Sequence, residues 1–451
     1  MKLKGLFLAA MITNALAQAQ TNPAITGWMQ NTTNIMGRHY VSGNSTPIND
    51  NVLANVQTVQ YSTSWVYVST KGIPAYITGP FLDGNPSLAS NQNAIFKFPL
   101  NPVQNTGTPT ATTMGNIGVF VNGVALFDYR DGVSWKNSTG ALAGGPLGGT
   151  GDGVWNRDAV VAEKPGFDCS KGHPAMGNYH HHQNPSAYKL DQNVISTICN
   201  LYDSDGLYVI DSTQHSPLIG FAYDGFPIYG AYGYKNADGT GGIVRMKSSY
   251  SLRSISVRTH YFDGTDVTDG PAVNGTYPLG YFKEDYQFTS PTASDYLDEH
   301  NGRFCVTPEY PAGIYCYFAT VDANWNSAYP YAVGPTFYGV KTAAKVTSIS
   351  ESTTTYTAPA TSISEATNDS FEVNVYPNPA NDFIAVQING MNKENLLVEL
   401  FDVTGKLVQS NYLYQGTTIA FFDTQRLYSG VYFIKLHGSA GVCSRKVIIQ
   451  K

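Results

Sequence analysis

Short runs rich in β-branched and aromatic residues recur between about residues 20 and 340, at 56–68, 94–98, 117–127, 207–210 and 314–320, and each is closed by Gly, Pro, Asn or Asp. Side chains of this kind suit a pleated, half-buried surface, and the closing residues suit turns. Amphipathic helical periodicity is scarce, and past the N-terminal segment no stretch offers the ~18 consecutive apolar residues of a membrane-spanning helix. The pattern reads as all-β, with packed sheets forming a large sandwich-like domain. At most a short helix is expected within a long loop.

A chain of 451 residues exceeds one ordinary core and suggests two or three units. Residues 1–19 read as a signal peptide, with Lys2 and Lys4 ahead of an apolar stretch that ends in Ala15-Leu16-Ala17. The large domain is then expected over 20–340. Residues 341–370 shift to Thr, Ser and Ala with few large apolar side chains, too few to offset the entropy of ordering, so a linker is expected there. Six strand-like runs crowd into 371–451, a density that suits a small independent β-sandwich. The net charge of −6 comes without a basic cluster, which argues against a nucleic-acid partner.

The C-terminal segment carries Val375-Tyr376-Pro377-Asn378-Pro379, Leu400-Phe401-Asp402-Val403-Thr404-Gly405-Lys406, Ser429-Gly430-Val431-Tyr432-Phe433 and a closing Lys446-Val447-Ile448-Ile449. In that order these motifs resemble the type A C-terminal sorting domain of the type IX secretion system. The resemblance implies passage through the periplasm, engagement of the type IX machinery, and release or cell-surface attachment once the sorting domain is removed.

The chemically conspicuous segment runs from Gly172-His173-Pro174 to Tyr179-His180-His181-His182-Gln183, followed by His215-Ser216-Pro217 and Asp224-Gly225-Phe226-Pro227. With Asn116-Ile117-Gly118-Val119-Phe120-Val121-Asn122-Gly123 upstream and Asn301-Gly302-Arg303-Phe304 downstream, it resembles the YHYH domain family over about 50–325. The family is named for a Tyr-His-Tyr-His tetrad, and His181 stands where its second Tyr belongs. The resemblance supplies no settled activity.

Residues 179–182 form a strand-like run whose alternate side chains share a face. His180 and His182 therefore project together, with Tyr179 and His181 on the opposite side. Two imidazoles so placed can share one metal ion that takes further ligands from elsewhere. His173 and His215 are the nearest histidine candidates, and Asp224 is a candidate carboxylate ligand or partner. Imidazole suits copper, zinc, iron and nickel alike, and copper and zinc head the expected cofactors. The bland alternative is a set of core histidines satisfied by buried carbonyls and carboxylates.

Cys169 and Cys199 flank this segment, and Cys305 and Cys316 flank an aromatic turn, so each pair is a candidate disulfide, with Cys443 left over. The run Asp203-Ser204-Asp205-Gly206 followed by Asp211 begins like a calcium loop but lacks its spacing and closing Glu. Three functions follow from these readings: a secreted or surface metal-binding protein, a metal-dependent extracellular enzyme, or an adhesion or glycan-binding module presenting Tyr and Asn. Four protein ligands would favour the first, an open coordination position the second, and an exposed aromatic patch the third.

Overall fold

Along Ala94–Pro99 the side chains alternate between buried and half-buried, as the sequence Ala-Ile-Phe-Lys-Phe-Pro requires of a strand with one face on a core. In the computed structural model, which describes residues 22–82, 87–192, 197–202, 204–357, 373–388, 394–402, 407–438 and 441–451, this strand belongs to a five-stranded antiparallel sheet. Its order is Ala344–Val346, Ala94–Pro99, Trp65–Thr70, Val56–Tyr61, Thr354–Tyr356. The chain is all-β; among the described residues its α-helices are single turns, Pro23–Thr26 and Ala159–Ala162.

The sheet that positions the site has eight strands: β1 (Asn116–Phe120), β2 (Ala125–Phe127), β3 (His173–Ala175), β4 (Asn178–His181), β5 (Leu218–Ala222), β6 (Pro227–Tyr229), β7 (Gly302–Cys305) and β8 (Ile314–Phe318). Their order is β3-β4-β2-β1-β5-β6-β8-β7. Pairing is antiparallel except for β4 on β2 and β6 on β8, which run parallel. Both sheets feed one hydrophobic cluster that includes Val59, Val68 and Phe98 from one and Val119, Phe221, Ile228 and Phe318 from the other. Trp28 joins them, 5.6 Å from Phe98 and 5.2 Å from Phe221 between ring centroids.

Two expectations are corrected here. Residues 207–210 form no strand: the Leu207 N–H bonds the Pro185 carbonyl and the buried Tyr208 hydroxyl accepts from the Ala231 N–H, with no ladder along the segment. Residues 341–357, expected to begin the linker, supply both edge strands of the five-stranded sheet. Their Thr- and Val-bearing sequence suits exposed edges, which need little apolar area.

The chain divides into two compact units, one ending at Thr357 and one starting at Ala358. The second contains a three-stranded sheet (Val373–Tyr376, Phe383–Ile388, Ile419–Asp423) and a four-stranded sheet (Leu407–Leu413, Leu396–Asp402, Gly430–Gly438, Gly441–Ile449). Ile384, Val386, Val398, Leu400, Ile434 and Val447 form its core. The strand Leu407–Leu413 is not among the six expected runs, because its side chains are mostly exposed and carry no apolar alternation. The expected signal peptide, residues 358–370 of the expected linker and positions 403–406 lie outside the described residues. Among the described residues no helix is long and apolar enough to cross a membrane.

Candidate metal centre

β3 and β4 form a tight hairpin that reverses at Met176 and Gly177, with φ of 52° and 82°. Its register sets His173 directly opposite His180. Cross-strand neighbours share a face, as do alternate residues, so His173, His180 and His182 converge on one side. One ligand atom from each lies within 4.8 Å of the others, and all three residues are buried. They line a cavity of about 890 Å³ together with Phe127 and Glu163. Phe127 stacks on His180 with centroids 3.9 Å apart, and Phe167 meets His173 edge-on at 4.8 Å.

The hydrogen bonds fix which nitrogens are free. His180 Nδ1 lies 2.9 Å from the Asn178 carbonyl and His182 Nδ1 lies 2.6 Å from the Asp128 carbonyl. A carbonyl only accepts, so both Nδ1 atoms carry hydrogen, and each ring in its neutral form presents a bare Nε2 lone pair. Those two Nε2 atoms are 3.1 Å apart. Glu163 Oε2 stands 3.3 Å from both His173 Nε2 and His182 Nε2. Lone pairs this close repel unless a metal ion or a shared proton lies among them. Tetrahedral ligands at ~2.0–2.1 Å from zinc would sit about 3.3 Å from one another, close to these separations.

Electrostatically, the point where these atoms meet favours positive charge, whether a metal ion or a proton. Burial, then the neighbouring His182 and His173 rings, hold His180 well below the ordinary imidazole range, so it resists protonation. For Glu163, burial opposes ionisation but the His173 and His182 rings outweigh it and hold the carboxyl below its ordinary range. Glu163 is placed by the turn Ala159–Ala162, where Asp158 caps the N-terminus through the Val160 N–H and itself accepts from the Tyr331 hydroxyl at 2.7 Å.

His181 faces the core. Its Nδ1 donates to the Lys171 carbonyl at 3.0 Å and its Nε2 accepts from the Tyr76 hydroxyl at 2.7 Å. Burial lowers its pKa to about 3. On the same side Tyr179 donates to Asp168 at 3.0 Å.

The structure does not bring His215 or Asp224 to this cluster. His215 is bonded through Nδ1 to the Ser216 carbonyl and packs on Tyr229 and Tyr234. Asp224 accepts from the Tyr317 hydroxyl at 2.5 Å and the Gly339 N–H at 2.8 Å. Glu163 takes the carboxylate position, which the sequence reading missed. It lies ten residues before His173 on a different element, and no local spacing links them. The start of the calcium-like run, Asp203, lies outside the described residues; Asp205 is exposed and Asp211 binds Thr213 and Gln214.

Cys169 and Cys199 form a disulfide with Cα atoms 5.4 Å apart. The second expected bridge is corrected, since Cys305 and Cys316 are buried thiols. Cys305 pairs with Ile314 and Cys316 with Arg303, so the cysteines meet diagonally across the ladder, and their side chains interact as hydrogen-bonded thiols and not as a bridge.

This all-β unit, with its buried histidine hairpin, is an extracellular cargo domain ahead of a sorting domain. The YHYH protein family matches residues 95–330, more than half of the chain, and the secretion system C-terminal sorting domain matches residues 374–450. The chain belongs to the YHYH family and is a type IX secretion cargo, exported to the medium or the cell surface. No curated protein matches it.

Proposed function

We propose that this protein binds one transition-metal ion outside the cell through His173, His180 and His182, with Glu163 as fourth donor. The observation that carries this reading is the pair of bare Nε2 atoms 3.1 Å apart, each ring locked in that tautomer by a backbone carbonyl. Satisfied core histidines direct lone pairs toward donors, as His181 does toward Tyr76. The outward carbonyl bonds from Nδ1 are the usual partners of metal-ligating imidazoles, fixing ring orientation and raising basicity. The adjoining cavity gives a specific ground for a second reading, a metal-dependent enzyme in which the three histidines would hold the ion, the ion would supply an activated water, and Glu163 would serve as general base.

The test is elemental analysis and metal titration of protein recovered from its export route. About one metal per chain is expected. His180→Ala and His182→Ala should each weaken binding by more than the ~10–100-fold typical of losing an outer partner, while His181→Tyr should leave it largely intact. Affinity should fall as pH drops below the ordinary imidazole range, where His180, held low by burial, takes up a proton and can no longer donate. Full metal content in the His180→Ala, His182→Ala double variant would refute the site. Glu163→Gln separates the readings: weakened binding marks a ligand, whereas unchanged binding with lost turnover marks a base.

A further inference from the structure

The cavity that holds the histidines also holds two methionines, and their placement is costly. Met176 sits at the tip of the β3–β4 hairpin and is 97% exposed. It takes φ of 52° at the first of two consecutive left-handed turn positions. A turn of this kind favours Asn, Asp or Gly, and a long unbranched side chain there is both strained and stripped of burial. Met114 reaches the same cavity from the chain ahead of β1 and is 62% exposed. Its sulfur lies 3.4 Å from where a Cβ on Gly132 would stand, and Gly132 and Gly145 both line the cavity. The thioether therefore lies over a glycine floor inside the pocket. The other described methionines, Met29, Met36 and Met246, do not line this cavity.

Strain at a surface turn points to a use for the residue that bears it. A thioether is a soft, neutral donor with little affinity for zinc or nickel and a preference for cuprous copper. We infer that Met176 and Met114 form a thioether rim that admits cuprous ion to the histidine centre, so that the soft monovalent metal is the one selected. The inference rests on the metal reading above. In it the imidazoles provide the resting ligands and the thioethers bind the ion at the mouth, where the hairpin tip and the opposite wall face the same space. Redox chemistry forms no part of it.

The experiment uses the full mature chain and two metals. Cu(I) affinity is measured by competition with a chromogenic chelator and Zn(II) affinity by calorimetry, in the wild type and in the Met114→Leu, Met176→Leu double variant. Leucine conserves volume, so folding is not at issue. Cu(I) affinity should fall at least about tenfold in the double variant, with Zn(II) affinity changing less than about twofold. In protein labelled with methyl-13C methionine, Ag(I), a redox-inert stand-in, should shift the Met114 and Met176 methyl signals and leave that of buried Met246 in place. Unchanged Cu(I) affinity in the double variant, or Ag(I) shifts confined to other methionines, would overturn the rim while leaving the histidine site standing. A wild type that binds neither Zn(II) nor Cu(I) would remove both readings together.

Discussion

Asp224 and His181 show how a single residue's partners decide its role. Both are buried and both stand in the stretches that carry the family resemblance, yet each is consumed by internal bonds, Asp224 by Tyr317 and Gly339 and His181 by Tyr76 and the Lys171 carbonyl. Burial pushes the Asp224 carboxyl up to about 6 from 3.8, against the opposing Tyr317, Gly339 and Phe226 bonds. The folded state thus holds this proton more tightly than the unfolded chain does. Its stabilising contribution is complete below about pH 4 and is lost as pH rises through about 6. The change amounts to roughly 3 kcal/mol for a shift of about two units. Asp224→Asn keeps an acceptor for Tyr317 without the charge, so this variant should gain on the wild type between pH 4 and 7 by roughly that amount. Urea midpoints measured across this range check it, and parallel curves for the two proteins would contradict the assignment.

The β3–β4 hairpin is held by more than its ladder. Cys169–Cys199 closes the chain around it. Inside that loop the Lys171 ammonium bonds Asp191 at 2.9 Å and the Ser186 hydroxyl at 3.0 Å, with Lys171 and Asp191 both buried. Burial lowers Lys171 and raises Asp191, each opposed by the partner's charge. Removing one member strands the other, so Asp191→Ala should destabilise the first unit by about 3–5 kcal/mol, and pairing it with Lys171→Met should recover most of the loss. Denaturant unfolding of the three variants measures this, and additive losses would show that the pair is not coupled. The hairpin also marks how far the sequence can be read. Strand parity is local, so the common direction of His180 and His182 is legible in four residues. The register that sets His173 opposite His180 depends on a turn with a methionine where Asn would announce it. The parallel pairing with β2 joins residues some fifty positions apart, and Glu163 arrives on a separate helical turn. Non-local contacts of this kind leave no periodic trace.

At the scale of the molecule, the strand-and-turn punctuation and the C-terminal motifs were enough to read an all-β exported protein, because both are local patterns. The end of the first unit was not legible. Residues 344–346 and 354–356 look like linker by composition, yet they cap the two edges of the five-stranded sheet through main-chain pairing with 95–97 and 59–61. Backbone hydrogen bonds need no apolar signature, so composition cannot reveal such strands. This difference predicts two distinct truncation phenotypes. A chain ended after residue 370 retains both edge strands and the whole first core, and should fold, bind metal as the full chain does, and remain in the periplasm for want of the sorting domain. A chain ended after residue 340 strips both edges and leaves two strands with unpaired N–H and C=O groups, a template for association. It should unfold at lower denaturant and aggregate. Fractionation, surface protease shaving and metal titration of the two chains separate the outcomes. Surface display of the chain ended at 370 would contradict the sorting role, and equal stability of the two chains would show that the edge strands contribute nothing to the first unit.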